Sequence, residues 1–127
     1  MEKLLAVCLG GAVGSGARYL LSGWVARNAP TSFPWGTLTV NAVGSFFLAL
    51  LMYLGLTTEA LTPNWRIALT TGAMGGFTTY STFNYETTEL IREGATAIAV
   101  ANIAITVIIC LGFGAIGLVA GRLIAGR

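Results

Sequence analysis

Four long apolar runs dominate this chain, at about 3–27, 35–56, 65–92 and 95–124, with charges gathered mostly near their ends. A helix needs about 20 mostly apolar residues to cross the hydrocarbon core of a bilayer. Four such helices consume nearly all of the 127 residues. The expectation is therefore an all-α integral membrane protein forming one membrane domain over 1–127, without a water-soluble domain. Charged residues make up 9% of the chain, against roughly 25% in soluble domains. That is too few to cover a soluble surface.

The same sparseness excludes several function classes. Seven basic and five acidic residues leave a net charge of +2, without the basic cluster that a nucleic-acid surface requires. No histidine is present, which removes the usual zinc sites and histidine-based triads, and no nucleophile–base pair is visible. An enzyme is not expected. Cys8 and Cys110 stand far apart, each inside an apolar run, so neither a disulfide framework nor a CxxC site is supported. The apolar pattern after Met1-Glu2-Lys3 continues past Arg18 to Trp24. It reads as a retained first membrane helix rather than a signal peptide.

Asn28 to Thr31 and Thr57 to Asn64 read as loops, with Pro63 and Asn64 as a helix start signal. Trp24, Trp35 and Trp65 fall at helix ends, where an aromatic belt places them. Lys3, Arg66, Arg122 and Arg127 would lie on one side, against Arg27 and Arg92 on the other. So weak a positive-inside bias permits insertion in both orientations. Gly10/Gly14, Gly72/Gly76 and Gly117/Gly121 are small-xxx-small pairs, which let helix backbones approach closely in lipid.

Thr70 to Phe83 reads TTGAMGGFTTYSTF, where a plain span would be leucine and valine. The adjacent Gly75 and Gly76 predict a helix break. Non-helical backbone at membrane depth is tolerated only where protein buries it or a cavity adjoins it. A broken helix offers free carbonyls, which favour a cation, and free N–H groups, which favour an anion. Tyr80 and Phe83, three apart, share a helix face, and their ring edges are electropositive. A hydroxyl-rich helix interface with two core aromatics is the competing reading. Asn41 lies inside the second run, either as an amide donor to an anion or as interhelical glue. Asn102 and Thr106, four apart on the fourth helix, extend a polar stripe or glue two helices. Arg18 snorkels to an interface or adds positive potential at a pore mouth. Glu86 belongs either to a pathway or, with Glu89 and Glu93, to a solvated helix end. Four helices enclose little, so a pore for a small ion most simply needs two copies.

Three motifs carry a resemblance over essentially the whole chain. They are Gly10-Gly11-x-x-Gly14-x-x-x-Arg18-Tyr19, Gly36-Thr37-x-x-Val40-Asn41-x-x-Gly44 and Gly75-Gly76-Phe77-Thr78-Thr79-Tyr80-Ser81-Thr82-Phe83. In this order, one per helix, they resemble the Fluc family of bacterial fluoride channels, also called CrcB. The resemblance implies a fluoride-selective channel for passive efflux across the bacterial inner membrane. It further implies an antiparallel, dual-topology homodimer with two pores and a broken third helix. A structural sodium ion, not transported, would sit at the dimer centre on the Gly75 and Thr78 backbone carbonyls of both subunits. Asn41, Tyr80 and Phe83 match the family's pore residues, and Ser81 and Thr82 match hydroxyls along the same route. The family usually has phenylalanine where this chain has Tyr80, whose hydroxyl both donates and accepts. We expect it to lower throughput and leave selectivity intact.

Two other classes compete. A small dual-topology, proton-coupled exporter needs a membrane carboxylate, characteristically in the first helix; that helix has only Glu2 at its tip, leaving Glu86. A non-transporting membrane subunit would use Thr78 to Thr82 as interface glue.

Overall fold

The computed structural model describes residues 1–126, and all regular structure among them is helical. Three helices are long: α1 (Glu2–Asn28), α2 (Trp35–Thr57) and, at the end of the chain, α6 (Thr96–Ile124). Each is long and apolar enough to cross a membrane. Their outward faces expose Leu9, Val13, Ile108, Leu111 and Leu123, a pattern that lipid tolerates because its tails are as apolar as leucine.

The run between Pro63 and Arg92 forms no single helix. It opens as α3 (Pro63–Ile67), with Pro63 in its first turn and the Thr62 hydroxyl accepting the Trp65 N–H at 3.4 Å. Next come a π-helical stretch, Ala68–Met74, and one further turn, α4 (Gly75–Phe77). After two extended residues the chain resumes as α5 (Tyr80–Arg92). A break was expected at Gly75–Gly76, and here the structure corrects the sequence. Gly75 is helical (φ −62°, ψ −40°), and the chain leaves the helix at Thr78 (φ −81°, ψ 159°) and Thr79 (φ −152°, ψ 109°). Gly76 serves close approach instead: a Cβ there would lie 2.6 Å from the Gly11 carbonyl oxygen.

Glycine sets the two principal interfaces. A Cβ at Gly10 or Gly14 of α1 would collide with the carbonyl oxygens of Ala68 and Ala73 respectively. From the other side, a Cβ at Gly72 would sit 2.8 Å from the Val7 carbonyl oxygen. Helix α1 thus lies backbone-to-backbone on the broken segment. Across the molecule, Gly117 and Gly121 of α6 receive the Phe46 backbone and the Tyr53 ring of α2. The turn from α5 to α6 closes with Gly94 at φ +82°, a conformation that favours glycine. The Ala95 N–H returns to the Leu90 carbonyl at 2.8 Å, and the Gly94 N–H to Ile91 at 3.0 Å, the pairing that satisfies a helix end with a left-handed cap.

Candidate functional site

Helix α2 holds the break open. The Asn41 side chain faces Thr79 and pairs with both of its backbone groups. Asn41 Nδ2 donates to the Thr79 carbonyl at 3.0 Å, and the Thr79 N–H donates to Asn41 Oδ1 at 2.7 Å. The amide therefore gives the Thr79 N–H the acceptor it loses at the break and adds a second donor to the Thr79 carbonyl. Three residues along, Gly44 makes room: a Cβ there would strike Thr78 Cγ2 and lie 3.2 Å from the Phe77 ring. The rest of the α2 motif also has structural work. Gly36 admits the Ser22 backbone of α1, a Cβ there meeting the Ser22 carbonyl oxygen at 2.6 Å. Thr37 donates to Glu86 Oε1 at 2.8 Å, and Val40 is fully buried.

The four carbonyls from Gly75 to Thr78 lose their regular donors here, and for Gly75 and Thr78 the displaced donor has a side-chain acceptor instead. In an uninterrupted helix the Thr79 N–H would serve the Gly75 carbonyl, and the Thr82 N–H that of Thr78. Asn41 Oδ1 takes the first. The second goes to the Thr79 hydroxyl at 3.2 Å, the side-chain N-cap of α5. The Thr79 hydroxyl also donates to Thr82 Oγ1 at 2.9 Å and lies 3.4 Å from Ser81 Oγ.

Recesses open on both sides of the break. One, of about 450 Å³, is lined by Asn41, Tyr80, Phe83, Thr106 and Cys110, among others. The Tyr80 and Phe83 rings stand 5.7 Å apart at 51°, on one face as their spacing predicts. Phe83 is half-buried, whereas Tyr80 is 79% exposed in the single chain. The other side holds a smaller recess of about 220 Å³ with Ser15, Arg18, Ser22, Thr37, Thr79 and Thr82 on its walls. Beside it, sharing Ser22, Thr37 and Thr82, a cleft of about 500 Å³ is lined by Glu86, Glu89 and Glu93. Asn41, Tyr80, Phe83 and Thr106 are thus brought together, while Thr82, Arg18 and Glu86 lie on the opposite side. Ser81 is exposed and lines neither recess, and Thr79 lines both.

Asn102 is 1% exposed and belongs to a polar chain tying α6 to α5. Thr106 donates to Asn102 Oδ1 at 3.2 Å, Asn102 Nδ2 to Thr87 Oγ1 at 2.9 Å, and Thr87 to the Phe83 carbonyl at 2.7 Å. The network ties α6 to α5, with Thr106 reaching the recess and Asn102 buried away from it. Glu86 Oε2 is buried and has no hydrogen-bond partner among the described residues. Arg18 forms no ion pair among them; the one present joins Arg92 to Glu89. Thr87 and Ser45 were not singled out from sequence; Cys110 was read only as a cysteine in an apolar run, and Thr79 only as one of the run Thr78 to Thr82. For Thr79 a signal existed, since a threonine just before a helix start is a favoured N-cap.

Comparison with known proteins identifies the family of the chain. Residues 5–118 match the model of the CrcB-like protein, Camphor Resistance (CrcB) family. A protein of Sorangium cellulosum named fluoride-specific ion channel FluC is 51% identical over 127 residues, covering 99% of this chain and 100% of its own length. Another of that name, from an Anaeromyxobacter species, is 55% identical over 87% of this chain and 88% of its own. A third, from Citrifermentans bemidjiense, is 43% identical over 96% and 98%. With three apolar helices long enough to span a bilayer, the chain is a multi-pass membrane protein, and it belongs to the CrcB family.

Proposed function

We propose that this protein is a fluoride channel, not an enzyme, through which fluoride leaves the bacterial cytoplasm passively across the inner membrane. The observation that carries the reading is the break at Thr78–Thr79, with the recess of Asn41, Tyr80, Phe83 and Thr106 beside it. Fluoride is small and strongly hydrated, so a pore must replace its water with donors. The recess supplies the second N–H of the Asn41 amide, the Tyr80 hydroxyl and electropositive ring edges at low dielectric. Full-length relatives named fluoride-specific ion channels support the same conclusion.

In this reading the segment from Pro63 to Arg92, about 30 residues, crosses the bilayer as the fourth span, in two halves. Two copies pair antiparallel, each inserted in the opposite sense, and the dimer carries two pores. Tyr80 supports this arrangement, since so large an exposed ring beside a polar break calls for a second protein surface. Arg18 and Glu86 belong to the aqueous approach on the other side of the break, with Ser81 and Thr82 as hydroxyl contacts along the path.

Sodium fits the break. The Gly75 and Thr78 carbonyls have lost their regular helix donors, and beside Gly75 a Cβ would meet nothing within 4 Å. Carbonyl oxygen is a hard ligand suited to such a cation. Bound there from both subunits, sodium would supply positive charge that offsets the cost of bringing an anion into low dielectric. The chain's own part is to keep backbone donors off these carbonyls and the donors of the recess in place.

A proton-coupled exporter finds less support. Helix α1 carries no acid beyond Glu2, and the Glu86 carboxylate already accepts from Thr37. Efflux from liposomes carrying the purified protein, followed with a fluoride electrode beside a chloride control, tests the proposal. Rapid fluoride loss with chloride retained is expected. Retention of both ions, by this chain and by Tyr80→Phe, would favour the non-transporting subunit.

A further inference from the structure

We propose that Thr79, acting with Asn41, is the positioning residue that keeps the Gly75 and Thr78 carbonyls available to a cation. The inference rests on the sodium reading above and names what the chain must do to make that site. A carbonyl at a helix end binds a cation well only while no backbone donor competes for its lone pairs. Four residues after each carbonyl stands its natural competitor: the Thr79 N–H for Gly75 and the Thr82 N–H for Thr78. Both are removed by side chains, at 2.7 Å on Asn41 Oδ1 and 3.2 Å on Thr79 Oγ1.

Thr79 joins the two diversions. Its backbone N–H and carbonyl are held by one amide, while its hydroxyl caps α5. The side chain is buried, at 7% exposure, so water does not replace the hydroxyl cheaply if it is lost. Without that hydroxyl the Thr82 N–H loses its acceptor, and bonding to the Thr78 carbonyl instead would extend α5 backwards into the break. Because Thr79 also lines both recesses, closing the cation site and narrowing the anion route become one event.

Thermal unfolding of the purified protein, in sodium chloride against choline chloride at equal ionic strength, tests this directly. The wild type is expected to melt at a higher temperature in sodium, as any ligand specific for the folded state requires. Thr79→Val keeps the shape and removes the acceptor; its half-saturating sodium concentration should rise about tenfold, the equivalent of one hydrogen bond. Thr79→Ser keeps the acceptor and should retain the wild-type sodium response. A purely structural role would lower the melting temperature equally in both salts, and a Thr79→Val protein with an unchanged sodium response overturns the inference. If that variant does not fold, Thr79→Ala carries the same comparison. Absence of a sodium response in the wild type would instead sink the sodium site itself and leave the channel reading untouched.

Discussion

Tyr80 is the residue whose chemistry most directly bears on rate. Its ring shares a face with Phe83, 5.7 Å away, and its hydroxyl adds a donor to the recess. Conduction needs binding strong enough to enter and weak enough to leave. A hydrogen bond to a charged partner contributes about 1.5–3 kcal/mol, so Tyr80→Phe should raise fluoride flux by about tenfold or more and leave exclusion of chloride unchanged. An unaltered rate would show that the hydroxyl points away from the path. Cys110 offers a second probe, because it lines the same recess while Cys8 lies exposed on α1. A small methanethiosulfonate reagent should depress flux in the wild type and spare Cys110→Ser. Equal block of both proteins would place the route elsewhere.

At the scale of elements, α1 and the broken segment are fitted to each other through their backbones. The five-residue step from Ala68 to Ala73 lets one glycine, Gly10, face both, a spacing that the wider π turn between them provides. Gly14→Ala should therefore separate the two elements and cost about 1–3 kcal/mol, the usual range for overpacking. Gly16→Ala, where a Cβ meets nothing within 4 Å, should leave the melting temperature unchanged or slightly higher, since alanine favours helix. Similar losses from both variants would mean that α1 does not pack as described. On the far side, the chain Thr106–Asn102–Thr87 fixes α6 to α5 and the Phe83 backbone. Hydrogen bonds between membrane helices contribute roughly 0.6 kcal/mol each, so this network sets the register of α6 against α5 more than it stabilises the fold.

For the whole molecule, orientation is the open quantity that charge controls. On the four-span reading, Arg18 apart, the basic residues of the sequence divide four against two, too even a split for a strong positive-inside bias. A cysteine placed after Gly126 in a Cys8→Ser/Cys110→Ser background should label from either face of the membrane in comparable amounts. Adding two or three lysines to one side should drive labelling to a single face and, on the antiparallel reading, lower fluoride efflux. Labelling of the original protein from one face alone would rule out dual topology.

Much of this was legible in residue order alone. Apolar runs and scarce charges determined membrane helices, because lipid admits only segments that satisfy their own backbone. Glycine pairs spaced by four announced close contacts, and Tyr80 with Phe83 announced a shared face. The site itself was decided by tertiary structure. Two glycines looked like the break, yet the chain departs at Thr78–Thr79, because Asn41, 38 residues away, supplies the bonds that make departure there cheap. Local sequence reports what a helix tolerates. Which carbonyls are set free depends on an acceptor for the competing N–H that only folding brings within 3 Å of it.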